Sequence, residues 1–355
     1  MSPSPVTNEK QRPLVLITGA NGTIGFANLL LLLTHNYRVR CALRRPSAIT
    51  QITSSPLITP YLPNLTFILV PSIAAPNAYD AAAQDVTFII HTAGAIPLPS
   101  ANPITDVLEP YVEGTANMLS AALKSLSVKR LVVTGAMAGL VDPATLWAEG
   151  NNAPKPRLSE TSRPPDLPDD VVIDHPPKAY MVGKNRAMTM LSGFAEQHPE
   201  AHFDVVQVVP GTVTGGMDLV ETREEARRKM DRVSSGALFG ETYGNRFFGV
   251  VGVADCARCH VGALDVGRVR GGEMLVAAWT SVGRDVGWFW RDAVERIEGQ
   301  FAEEVDDGVY TLGRKPFTML VQVDSRRTEE MLGIEFQSFG DQIVRAAEWY
   351  RDLKG

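Results

Sequence analysis

Eight residues near the start of the chain, Thr18-Gly19-Ala20-Asn21-Gly22-Thr23-Ile24-Gly25, restrict its fold more than any others. An apolar run, Leu14-Val15-Leu16-Ile17, leads into them, and Phe26-Ala27-Asn28 followed by Leu29–Leu33 leads out. That order predicts a strand, a glycine-rich turn and a helix. Backbone N–H groups in such a turn approach phosphate oxygens closely, and the positive end of the helix dipole faces them. A dinucleotide's pyrophosphate suits this arrangement. The plainer alternative is a tight turn whose glycines serve only positive φ.

The same rhythm continues. Strands are expected at Leu14–Thr18, Arg38–Leu43, Thr66–Val70, Val86–His91, Arg130–Thr134 and Phe203–Val209, with another at Gly272–Ala277. Helices are expected at Ile24–His35, within Pro76–Ala83, and over Pro103–Leu126 and Ala179–Gln197. Strands almost continuous in Val, Ile and Leu, alternating with helices, predict an α/β protein with a doubly wound parallel sheet. Two stretches break the pattern. Asn151–Lys178, rich in proline and charge, reads as a surface excursion. Gly211–Gly249, with a charged helix at Glu221–Arg232 and the segment Ser235–Gly240, reads as a substrate cover beyond the strand ends. Further helices are expected at Val282–Arg296 and Phe339–Leu353, with Trp288, Phe289 and Trp290 in the core. The implied division is a tail (1–12), a nucleotide-binding unit (13–210, rejoined by 247–279) and a smaller lobe (211–246 and 280–355).

The 355 residues are 45% hydrophobic, enough for one large core or two lobes. A net charge of −6 argues against a general nucleic-acid partner. The polar, proline-bearing start does not resemble a signal peptide, and Leu29–Leu33 is far too short to span a membrane. Three cysteines suit a reducing compartment, so a cytoplasmic location with no membrane partner is expected. Cys256-Ala257-Arg258-Cys259-His260 has the spacing of a haem attachment site, but it reads better as the start of a helix, and no metal site is expected. His91, His175 and His260 read as structural.

Tyr180-Met181-Val182-Gly183-Lys184 places a phenol and an ammonium four residues apart, on one face of a helix. A nearby cation lowers a phenol's pKa, which would ready Tyr180 for proton transfer. An ordinary surface pair is the alternative reading of that spacing alone.

With these residues together, the chain resembles the extended short-chain dehydrogenase/reductase superfamily. The branch of dihydroflavonol reductases, cinnamoyl-CoA reductases and fungal aldehyde reductases is nearest. The marks are Thr18-Gly19-x-x-Gly22-x-x-Gly25, Arg44, His91-Thr92-Ala93-Gly94, Val112-Glu113-Gly114-Thr115, Tyr180 with Lys184, Pro210-Gly211-x-Val213-x-Gly215, Val253–Ala257 and Glu348-Trp349-Tyr350. The resemblance implies a nicotinamide cofactor on the sheet's carboxyl edge and a small-molecule carbonyl substrate. It assigns cofactor contacts to Gly19, Asn21, Gly22, Thr23, Ile24, Gly25, Ala93, Gly94, Pro210 and Val213, with Tyr180 as general acid and Lys184 on the ribose. Monomer and homodimer both fit.

The cofactor's identity has an independent argument. No Asp or Glu lies between Lys10 and Tyr79 to accept hydrogen bonds from a ribose diol, whereas Arg38, Arg40, Arg44 and Arg45 cluster there. Arg44 and Arg45 stand where a 2′-phosphate would lie, so NADP(H) is expected over NAD(H). Ser72 replaces the Asp that relatives direct at adenine. A second departure concerns the chemistry. Val133-Thr134-Gly135-Ala136-Met137 puts Ala136 where the family has the serine that hydrogen-bonds the substrate carbonyl. Losing such a donor costs about 10²–10³ in rate. Thr134 is the expected substitute, with Thr212 and Thr214 as others, and Tyr111 stands where many relatives have Asn. An NADP(H)-dependent carbonyl reductase is the leading expectation. A non-redox isomerase, dehydratase or cyclase, and a nucleotide-sensing non-enzyme, remain as alternatives.

Overall fold

The computed structural model describes residues 12–100, 102–144, 155–241, 246–284, 286–313 and 318–355. The expected tail before Arg12, residues 151–154 of the proline-rich stretch and 242–245 of the expected cover lie outside these.

Seven parallel strands form the central sheet. They are β1 (Leu14–Thr18), β2 (Arg38–Leu43), β3 (Leu65–Leu69), β4 (Phe88–His91), β5 (Arg130–Thr134), β6 (Asp204–Pro210) and β7 (Met274–Ala277). Their order is β7-β6-β5-β4-β1-β2-β3, in register from Val15 opposite Val39 on one side to Val15 opposite Phe88 on the other. The winding reverses between β1 and β4, which opens a crevice at their carboxyl ends. All five residues of β1 and of β5 are buried, as a sheet covered on both faces requires.

The helices follow in chain order: α1 (Thr23–Thr34), α2 (Pro46–Thr53), α3 (Glu109–Lys124), α4 (Pro176–Gln197), α5 (Arg223–Lys229), α6 (Arg232–Phe239), α7 (Val253–Gly262), α8 (Val286–Gln300), α9 (Ala302–Asp306), α10 (Arg326–Leu332) and α11 (Phe339–Arg351). On one face of the sheet, Leu29 and Leu32 of α1 and Cys256 and Cys259 of α7 pack with Val15, Ile17 and Val132. On the other, Met118 and Ala122 of α3 and Leu191 and Phe194 of α4 pack with Leu16, Ile89 and Leu131. A third cluster joins α6, α8 and α11 to Met137, Leu140 and Val276. Thr212–Thr214 pairs with Val250–Gly252, and Arg157–Leu158 with Gln322–Val323. These short ladders tie the later segments to the sheet.

Arg130, 1% exposed, fastens the sheet's amino edge. Its guanidinium binds Asp204 through two bonds of 2.6 and 2.8 Å and donates to the carbonyls of Ala263 (2.7 Å), Asp265 (3.3 Å) and Val269 (2.7 Å). A buried charge with this many acceptors is satisfied rather than stranded.

Several expected elements differ. The stretch at Pro76–Ala83 is a series of turns, because Asn77 takes φ 59°, which no helix accepts. The long helix expected at Pro103–Leu126 divides into a π-helical turn, Ile104–Leu108, and α3. Pro110 lacks an N–H and loosens the winding before it. The charged helix expected at Glu221–Arg232 ends at Lys229. Met230 turns extended there, and Asp231 accepts from the Val233 and Ser234 amides to begin α6. Within the supposed surface excursion Leu158 and Glu160 are buried, and Glu160 accepts from Thr328 N (2.8 Å) and Oγ1 (2.6 Å). Trp290 lies in the core, its indole donating to the Gly313 carbonyl at 2.8 Å, whereas Trp288 is 51% exposed. No helix among the described residues is long and apolar enough to cross a membrane.

Candidate active site

The turn after β1 has the shape its glycines predict. Gly19 adopts φ +69°, and a Cβ there would come within 2.8 Å of Thr92 Oγ1. A Cβ on Gly25 would collide with the Gly19 carbonyl. Gly22 caps α1 without a side-chain bond, and no acidic residue occupies the first turn. Gly22 N is spent on the Gly19 carbonyl at 2.9 Å, closing the turn, so the half-buried stretch Asn21–Ile24 presents the amides that open α1 and the dipole's positive end. Beside it, Thr18 Oγ1 accepts from the amides of Thr92 (3.1 Å) and Ala93 (3.0 Å). It gives its own proton to His91 Nδ1 at 2.9 Å. This network locks the ends of β1 and β4 together and fixes Ala93 and Gly94 at the crevice.

Arg44 and Arg45 follow β2, exposed and with no carboxylate partner among the described residues; Ser72 is exposed after β3. Pro210 ends β6 and Val213 follows it. These residues therefore share the carboxyl edge with the glycine turn. Two other arginines do not. Arg40 donates to the carbonyls of Ala82 (2.9 Å) and Gln84 (2.6 Å), and Arg38 to that of Arg12 (3.2 Å).

Tyr180 and Lys184 lie one turn apart on α4, whose first turn is capped by His175 accepting from Lys178 N. Lys184 is 8% exposed and donates through Nζ to the Thr134 carbonyl at 2.8 Å. Its Nζ also lies 4.4 Å from the centre of the Tyr111 ring. The Tyr111 ring meets that of Tyr180 edge to face, centroids 5.5 Å apart. The electrostatics reverse one expectation. Burial pushes the half-buried Tyr180 phenol up to about 12, against the expected lowering by the lysine, and draws Lys184 down to about 7. Removal from water dominates because both groups sit at the foot of a packed helix. Tyr180 thus holds its proton at neutral pH.

The second donor expected at Thr134 is engaged elsewhere. His260 Nδ1 lies 2.8 Å from the Cys256 carbonyl and so carries the proton, which leaves Nε2 to accept from Thr134 Oγ1 at 2.8 Å. The Thr134 side chain faces α7, and what it offers Lys184 is its backbone carbonyl. Thr214 is likewise committed, to Gln342 Oε1 at 2.8 Å. Ala136 is 5% exposed and extended, packed with Met137, Met181 and Val209, and Tyr180 abuts the same cluster. Leu219, Leu238 and Phe239, expected in a cover over the substrate, are buried as core, while Met217 is only partly so. The helical Cys256 and Cys259 thiols are buried, and both ring nitrogens of His260 are in use.

Thr134's partner was missed because it stands 126 residues away; Tyr111, singled out where relatives carry Asn, does reach inward, and only its contacts with Lys184 and Tyr180 were not legible. Buried His260 four residues after Cys256 was the one available signal.

Residues 15–274 match the NAD dependent epimerase/dehydratase family. An NAD-dependent epimerase/dehydratase of Alternaria alternata is 32% identical over 272 residues, 72% of this chain and 74% of that protein. A ketoreductase of Cercospora beticola is 31% identical over 356 residues, 96% and 95% of the two chains. The fold is shared with a yeast methylglyoxal/isovaleraldehyde reductase crystallised with NADPH, at TM-score 0.76 and 21% identity, covering 95% of this chain and 98% of that one. The chain belongs to the NAD-dependent epimerase/dehydratase family, the extended short-chain dehydrogenases/reductases.

Proposed function

We propose that this protein is an NADP(H)-dependent reductase of a ketone or aldehyde carbonyl in a mid-sized, partly apolar metabolite. The observation that carries this reading is the Tyr180–Lys184 pair, held at the same sheet edge as the glycine turn. The ketoreductase among its relatives supports it.

The described residues fit the coenzyme. The turn Gly19–Gly25, closed by Gly22 N on the Gly19 carbonyl, and the amides at the α1 terminus would hold its pyrophosphate. Arg44 and Arg45 would grip a 2′-phosphate with forked donors, and Ser72 would reach adenine. Ala93, Gly94, Pro210 and Val213 would line the remainder, with Lys184 on the ribose. When bound, the reduced coenzyme supplies the hydride. Tyr180 keeps its proton until negative charge grows on the carbonyl oxygen, then donates it there. Lys184 holds a positive charge beside the phenolate so formed. The described parts of 211–246 and 280–355 would form the lobe that covers the substrate and excludes water.

The test is NADPH oxidation by purified, coenzyme-competent protein across a panel of ketones and aldehydes. Turnover that falls at least ~10²-fold in Tyr180→Phe supports the assignment. No turnover with any member of the panel contradicts it. A second reading, a non-redox isomerase, dehydratase or cyclase, draws on the absence of a hydroxyl at Ala136 and the commitment of Thr134 to His260. Product formed without change in NADPH absorbance would favour it.

A further inference from the structure

Lys184 occupies an unusual setting. Among the described residues its ammonium has one carbonyl partner, Thr134 O at 2.8 Å, and the side chain is almost wholly out of water. The groups that face it come from four elements. Tyr180 lies on its own helix, Tyr111 on α3, His91 at the end of β4 and His260 on α7. Both imidazoles are neutral at pH 7, and nothing acidic among the described residues acts on the lysine. Among the described residues, the remaining source of stabilisation is the Tyr111 ring, whose centre lies 4.4 Å from Nζ. At that distance a ring face attracts a cation, most strongly where water is excluded.

The ring is also held with care. Tyr111 is 8% exposed, and its hydroxyl donates to the Ala95 carbonyl. Two glycines make room for it. A Cβ on Gly94 would run into the ring, and one on Gly183 would stand 3.3 Å from Cδ2. Its edge contact with Tyr180, interplanar angle 78°, has the favoured geometry for two aromatic rings. One side chain thus touches both members of the pair.

We infer that Tyr111 is a positioning residue of the Tyr180–Lys184 pair, its ring face carrying the ammonium and its edge-to-face contact with Tyr180 seating the phenol. The inference rests on the reading of that pair as the catalytic centre. Removing the ring takes away attraction for the charged lysine while leaving the burial that opposes it. The Lys184 titration therefore moves to lower pH, and with it the pH above which the enzyme loses activity.

Lys184 is titrated in coenzyme-free protein by NMR of [ε-¹³C]lysine, its signal assigned by loss in Lys184→Arg. Tyr111→Leu is expected to lower the midpoint by about one pH unit, whereas Tyr111→Phe keeps a ring and holds it within about 0.3 unit. The alkaline limb of kcat/KM shifts in parallel. Should Tyr111→Leu fold poorly, tri- and pentafluorophenylalanine in place of Tyr111 preserve the shape while draining the ring face of negative charge, and the midpoint falls stepwise. A folded leucine variant, or a fluorinated series, that titrates with the wild type overturns the inference. The NMR reading needs no turnover. A shifted midpoint in a protein that reduces nothing would retain the role of Tyr111 and discard the reductase assignment.

Discussion

Replacing Thr134 by Val separates structure from catalysis at the site's most ambiguous residue. The two side chains have similar volume, so the change removes a hydroxyl and little else. What is lost is a 2.8 Å bond between buried partners, Thr134 at 8% and His260 at 0% exposure. His260 Nε2 then becomes a buried acceptor without a donor, which costs about 1–3 kcal/mol. The Thr134 carbonyl still receives Lys184, because valine keeps the backbone. Urea unfolding should therefore show a destabilisation of that size, while kcat/KM for carbonyl reduction changes by less than about threefold. Were the hydroxyl the substitute for the missing serine, the rate would instead fall by about 10²–10³. A double-mutant cycle with His260→Leu sharpens the test. Removing both partners should cost clearly less than the sum of the single changes, since no orphan is left. A large loss of rate with unchanged stability would refute the assignment of this hydroxyl to His260.

Arg44→Glu and Arg45→Glu should each weaken NADPH binding by about 10- to 100-fold in calorimetry and leave NADH within about threefold, since only the 2′-phosphate needs them. Ala136→Ser should raise kcat/KM by about tenfold or more by restoring a donor beside Tyr180; an unchanged or lower value in folded protein contradicts the missing-donor argument. Stability should fall in mild acid. Burial holds His91 down at about 3 and His260 at about 4, below the unfolded value of about 6.5, so the unfolded chain takes up the extra protons. The loss begins as pH falls through about 6.5 and continues to about 4 for His260 and about 3 for His91, at up to ~1.4 kcal/mol per pH unit for each ring. Urea midpoints between about pH 7 and pH 5 measure it, and a flat midpoint refutes it.

The residues legible in sequence are those whose chemistry is local. The glycine turn, the strands from Leu14–Thr18 to Arg130–Thr134 and the Tyr180–Lys184 spacing each declare themselves within a dozen residues. Ends shifted by a residue or two, as at β3 and α1, where burial and caps compete. Failures came where a distant partner decides. Thr134 points to α7 because His260 waits there, and Tyr180 is raised because the helix above it is packed. Neither fact is written in its neighbours. Pro76–Ala83 failed for a local reason, an asparagine that prefers a left-handed turn to a helix. Met230-Asp231 split a continuous run of charge because a capping aspartate outweighed helix propensity.

Transfer of label from 4-deuterated NADPH tests the central claim most directly. The account predicts that product from a carbonyl substrate gains one deuterium on the former carbonyl carbon, in one stereochemical sense, and that Tyr180→Phe slows the transfer while still binding the coenzyme. Coenzyme bound tightly with no deuterium reaching any product would contradict it.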